Sequence, residues 1–218
     1  MGRGSSGSTS RYGGGGDLNP SDILSTELMT WSGTRASAED DFFKTAETLY
    51  KEYGNDAVPQ DFFQIAELKP GASRKVIAYY DGANVALNKK YMDSATLDSV
   101  YDKCIADGFH PGRGNKSGAE AVAAHELGHR LTDAVAQKMG IAGIDANHAA
   151  ATKIVNEARS STGAKGVVQM AAKISRYATA SNAEAVAEAV SDVFCNGSKA
   201  TKESRAIVGV IDSYLKGK

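Results

Sequence analysis

The 218-residue chain is 42% hydrophobic and 23% charged, an ordinary globular balance that gives no support to collagen-like, wholly disordered or membrane-spanning classes. Its length predicts a single domain with an attached tail. Lys and Arg total 25 against 26 for Asp and Glu, for a formal net charge of −1, so no basic surplus points to nucleic acid and no charge excess points to any other partner.

The first sixteen residues, MGRGSSGSTSRYGGGG, are Gly- and Ser-rich and carry no apolar run, which predicts a flexible linker and neither a secretory signal nor a membrane anchor. The expected organisation is a tail over residues 1–20 and one domain over residues 21–218. Ser37-Ala38-Glu39-Asp40 then opens a helix on which Phe42, Ala46, Leu49, Tyr50 and Tyr53 recur at helical spacing until Gly54. Residues 62–68 are β-prone, and the runs 75–80 and 83–88 flank Asp81-Gly82. That pair predicts a hairpin with a type I′ turn, and with it a small antiparallel sheet.

From Ser94 the pattern changes to that of a helix, with Leu97, Val100, Tyr101, Cys104 and Ile105 on one stripe. A loop with Gly108, Pro111, Gly112 and Gly114 leads to a long Ala-rich helix over 117–139, and further helices are expected at about 145–159, 164–175, 182–195 and 201–215. The fold class is therefore α+β, sheet first and helices after. Cys104 and Cys195 fall on separate helices; one pair defines no disulfide framework, so both read as buried thiols in a reducing compartment.

The chemistry lies in His125-Glu126-Leu127-Gly128-His129. Two histidines four apart share a helical face, so both imidazoles reach one metal ion, and the glutamate beside the first approaches a water on that ion. For this composition the pattern arises by chance about 0.4% of the time, and its place within an expected helix fits Zn²⁺. A catalytic zinc takes three protein ligands and keeps one position open. Thr132 and Val135 stand where a metzincin needs Gly and His; His110 and His148 remain open as third ligands, but each stands alone and reads as a loop or surface residue. The carboxylates Glu184, Glu188 and Asp192, at i, i+4 and i+8 on an otherwise apolar helix, are costly to bury without a cation or hydrogen bonds. They make Glu184 and Glu188 the two candidates for the third ligand. Ser181 and Glu184 also fit a capping box, a purely structural alternative for Glu184, and Tyr177 fits an ordinary packed aromatic.

The histidine motif with a downstream glutamate helix resembles the gluzincin branch of zinc peptidases, which implies a zincin-like fold. Two registers compete within that resemblance. Glu188-Ala-Val-Ser-Asp192 resembles the thermolysin-like segment and implies Glu188 as ligand. Tyr177-x4-Asn182-Ala-Glu184-Ala-Val-Ala-Glu188 resembles the anthrax-lethal-factor-like peptidase domain; it implies Glu184 as ligand, Glu188 behind a ligand histidine, and Tyr177 at the oxyanion. This second register accounts for more residues and is preferred. Similar helices behind such a motif occur in phage-associated proteins, which implies a cytoplasmic or phage-associated setting. Residues 1–60 resemble no nameable family.

The function so implied is a zinc metalloendopeptidase acting on a peptide or protein substrate, with Glu126 as general base, Tyr177 assisting, and strand 83–88 pairing with an extended substrate. The alternative is a non-catalytic structural module of a larger assembly, with a phage origin as one source, in which zinc staples two helices; Cys104 or Cys195 as a fourth ligand would favour it.

Overall fold

The computed structural model describes residues 9–11, 24–27, 36–54, 58, 63–68 and 76–217. Its sheet is built on β3 (Phe63–Leu68), β4 (Val76–Tyr80) and β5 (Val85–Asn88), flanked by β1 (Thr9–Arg11) and β2 (Leu24–Glu27) in the order β1-β4-β5-β3-β2. The sheet is mixed, which corrects the antiparallel expectation. The β4–β5 hairpin places its second strand between β4 and β3, and two successive reversals of direction leave β5 running with β3, from Phe63 beside Val85 to Ala66 beside Asn88. The antiparallel reading took neighbours in sequence to be neighbours in space.

The turn also departs from type I′. No described non-glycine residue has positive φ, and the reversal centres on Gly82 (φ 94°) and Ala83. Asp81 closes it by accepting the N–H groups of Ala83 at 2.9 Å and Asn84 at 2.7 Å on one carboxylate oxygen, an Asx turn that needs no left-handed aspartate. Because β5 is paired on both edges, it offers no edge to a substrate, and the expected strand addition at Ala83–Asn88 does not hold. Within the segment expected to be a tail, Thr9–Arg11 pairs with β4; the remainder of residues 1–20 lies outside the described residues.

Seven α-helices are described: α1 (Ser37–Tyr53), α2 (Ser94–Ala106), α3 (Gly118–Lys138), α4 (Ala146–Thr162), α5 (Val167–Ala171), α6 (Asn182–Asn196) and α7 (Lys202–Leu215). The central one is α3. Ser117 caps it by accepting from the Glu120 N–H while Glu120 reaches back to the Ser117 N–H, a capping box that fixes its start. It packs against α1, α2, α4, α6, α7 and β4, and nearly all of residues 118–136 are buried. Alanine suits a helix surrounded in this way, since small side chains let neighbouring backbones approach from several sides. All of β4 and β5 is buried as well, and Phe42 of α1 meets Phe63 of β3 with ring centroids 5.3 Å apart. Only five residues of the helix expected over 164–175 are α-helical, and Ile174 and Ser175 lie in the turn beyond it. Among the described residues no helix is long and apolar enough to cross a membrane.

Candidate metal centre

The site forms where α3 and α6 touch. A Cβ on Gly128 would lie 2.9 Å from the Ala187 Cα and 3.1 Å from the Val190 Cβ, so the two helices meet backbone to backbone at the residue just before His129. Ser191 locks the same contact by donating its hydroxyl to the Ala121 carbonyl at 2.9 Å. This approach brings the first turn of α6, with Glu184, over the histidines of α3.

His125, His129 and Glu184 offer ligand atoms that all lie within 4.8 Å of one another, in a buried group that could hold a metal ion. The Glu184 Oε2 stands 3.2 Å from His125 Nε2 and 3.7 Å from His129 Nε2. Bonds of about 2.0–2.1 Å to a tetrahedral zinc require ligand atoms roughly 3.3 Å apart, close to these two separations. Neither histidine Nε2 has a hydrogen-bond partner among the described residues, although both are buried. Two buried imidazole nitrogens with no hydrogen bond of ordinary geometry among the described residues, both facing one carboxylate oxygen, are a donor set suited to a cation.

Glu188 faces away from this point. Its Oε1 accepts from His125 Nδ1 at 2.7 Å and lies 2.9 Å from His110 Nδ1, while its Oε2 accepts from the Ser175 hydroxyl at 2.7 Å. Of the two candidate third ligands, the geometry thus places Glu184 with both Nε2 atoms and Glu188 behind His125. The capping alternative for Glu184 is half realised: Ser181 accepts the Glu184 N–H at 3.1 Å, but the Glu184 side chain is directed at the histidines. Asp192, last of the carboxylate row, accepts from Asn196 and from the Thr201 N–H and hydroxyl, at 2.9, 3.0 and 3.1 Å. Its task is to join α6 to the start of α7.

Charge follows from this packing. Burial opposes the His125 imidazolium, but its contacts with Glu184 and Glu188 outweigh that effect and hold His125 well above the usual histidine range. Burial pushes His129 down to about 4. Glu188 is held well below the carboxylate range, because His110 and His125 overcome the cost of its burial. Glu126 is fully buried, and among the described residues neither of its oxygens makes a hydrogen bond of ordinary geometry. Burial raises it to about 8; His125 and the Tyr80 backbone N–H of β4 act against the rise, and Glu184 adds to it.

Tyr177 lies beside the group, its ring stacked 5.9 Å from His125 and 4.9 Å from Phe109. His148 is exposed. His110 lies in a loop, as expected, but is buried and not alone: it stacks on Tyr101 with ring centroids 5.1 Å apart and is bonded to Glu188. Neither His110 nor Ser175 carried a signal by which the sequence would have placed it here, since no motif spacing links either to the histidine helix. Cys104 is buried and donates to the Val100 carbonyl at 3.3 Å, Cys195 is half-buried, and both thiols are free. Neither belongs to the metal-binding group.

No family model matches the chain, and no curated protein or solved structure does so.

Proposed function

We propose that the chain is a zinc-dependent peptidase of the gluzincin kind, in the lethal-factor-like register, acting on a peptide or protein substrate. The observation that carries the reading is the donor set: ligand atoms of His125, His129 and Glu184 within 4.8 Å of one another, both Nε2 atoms facing the Glu184 Oε2, with no fourth ligand in that group among the described residues. Three protein ligands leave a coordination position for water, whereas a structural zinc fills all four with side chains. This supports the catalytic reading over the helix staple.

A bound Zn²⁺ would supply Lewis acidity that brings the pKa of a water from about 16 toward 7. Glu126 would accept the proton of that water and later pass it to the leaving amine. A divalent cation among its neighbours would also lower the Glu126 carboxyl from about 8, so that it accepts a proton near neutrality. The Tyr177 hydroxyl would donate to the substrate carbonyl oxygen as negative charge develops there. Glu188 would hold His125 with its Nδ1–H donated backwards, keeping Nε2 free.

The test is zinc content and peptide hydrolysis measured side by side. Glu126→Gln is expected to retain one zinc per chain and to lose hydrolysis of a random peptide library by about 10²–10⁴-fold. Glu184→Ala is expected to lose the zinc. Wild-type protein that takes up no zinc, or Glu126→Gln protein with full activity, would overturn the proposal.

A further inference from the structure

His110 and Ser175 hold a carboxylate that no ion would touch. Glu188 is fully buried and receives three side-chain contacts: His125 Nδ1 and His110 Nδ1 converge on one oxygen at 2.7 and 2.9 Å, and the Ser175 hydroxyl reaches the other at 2.7 Å. His110 reaches this position across 78 residues of sequence. Its loop is fastened on both sides. The Arg176 and Tyr177 N–H groups donate to the Gly108 and Phe109 carbonyls at 2.9 and 3.0 Å, and Asn196 of α6 donates to the Gly112 carbonyl. The loop 108–112 and the turn 175–177 therefore form one brace, and it presents two donors to Glu188.

We infer that His110 is a positioning residue of the metal centre: with Ser175 it fixes the Glu188 carboxylate, which in turn sets the tautomer and ring angle of His125 and so the retention of zinc. The inference rests on the zinc reading above. The brace gives each Glu188 oxygen a donor that is independent of His125; without His110, Oε1 is held only by the ring it is meant to orient, so ring and carboxylate can turn together. Since Glu188 Oε1 is the only partner that the described residues give His125 Nδ1, a rotated Glu188 would let the ring turn and its Nε2 leave the line to Glu184. Partners of this kind are typically worth 10–100-fold in metal affinity.

His110 also packs, with its ring parallel to Tyr101 at an interplanar angle of 4°, so the test must separate donor from filler. His110→Phe keeps a ring against Tyr101 and removes the donor. His110→Asn places an amide nitrogen near the position of Nδ1 and removes the stacking. Zinc affinity would be measured by competition with a chromophoric chelator, alongside the melting temperature of each zinc-free protein. The expected result is a 10–100-fold weaker affinity in His110→Phe and near-normal affinity in His110→Asn, whatever the order of the two melting temperatures. Ser175→Ala, a single-atom removal, is expected to weaken zinc several-fold, and it decides the matter if the His110 variants do not fold. Wild-type affinity in His110→Phe, or in Ser175→Ala where only that variant folds, would overturn this inference while the zinc reading stands. A wild-type protein without zinc affinity would overturn both.

Discussion

At Gly128 a single missing methyl group decides whether two helices meet. The Cβ of an alanine there would fall 2.9 Å from the Ala187 Cα, and backbone cannot yield as a flexible side chain does. Gly128→Ala is expected to destabilise the fold by about 1–3 kcal/mol, read from urea unfolding, and to weaken zinc because Glu184 rides on the displaced helix. Tyr177 calls for a finer cut. Its ring packs against Phe109 and His125, and Tyr177→Phe keeps that packing, so zinc affinity should stay in place while turnover falls about tenfold or more through loss of the hydroxyl. An unchanged rate would reduce Tyr177 to a packing role. The thiols test burial directly. Burial, aided for Cys104 by Asp107 and for Cys195 by Glu120, raises both to about 12 from 9.0, so at pH 8 the reactive thiolate is about a thousandfold scarcer than in an unperturbed thiol. Titration with a disulfide reagent should find no fast thiol in the native protein and two after denaturation.

At the scale of elements, what was legible in the sequence was whatever is local. The histidines of α3 and the carboxylate repeat of α6 are set by spacings of four residues, and a helix converts such spacing directly into a shared face. His110 could not be read in the same way, because its meeting with Glu188 depends on how a loop, a turn and two helices pack. The strand order was hidden for a related reason: β-propensity identifies a strand but not its neighbour, and the insertion of β5 between β4 and β3 is a tertiary event. Asp192 shows how one local pattern serves two ends. Read as the third member of an acidic row, it instead ties α6 to the start of α7, where Thr201 is the N-cap. Asp192→Ala should cost roughly 1–2 kcal/mol, by analogy with loss of a helix cap, without changing zinc content. Parallel unfolding and metal assays would check both parts.

For the whole molecule, a bound ion would make the candidate metal centre and the fold one thermodynamic system. Its three donors come from two helices, so an ion that binds only the native arrangement stabilises it by mass action, by about 2.7 kcal/mol at a free concentration a hundred times its dissociation constant. Chelation should therefore lower the melting temperature and zinc should restore it, in proportion to the logarithm of free zinc. Glu184→Ala protein should melt at the same temperature with and without zinc, and a zinc-dependent shift in that variant would place the ion elsewhere.

The backbone contact at Gly128 also acts as a size gauge. Because α3 and α6 already meet backbone to backbone at Gly128, and because the Ser191 hydroxyl ties α6 to the Ala121 carbonyl of α3, the spacing of the ligand atoms is set by the helices before any ion arrives. A cage with edges of 3.2 and 3.7 Å, two imidazoles and one carboxylate suits a small borderline ion. It lacks the six or more oxygens that calcium gathers at about 2.3–2.6 Å. On the proposed zinc reading, selectivity among ions would be inherited from a residue that offers them no atom, and millimolar calcium should leave the melting temperature of the zinc-free protein where it was.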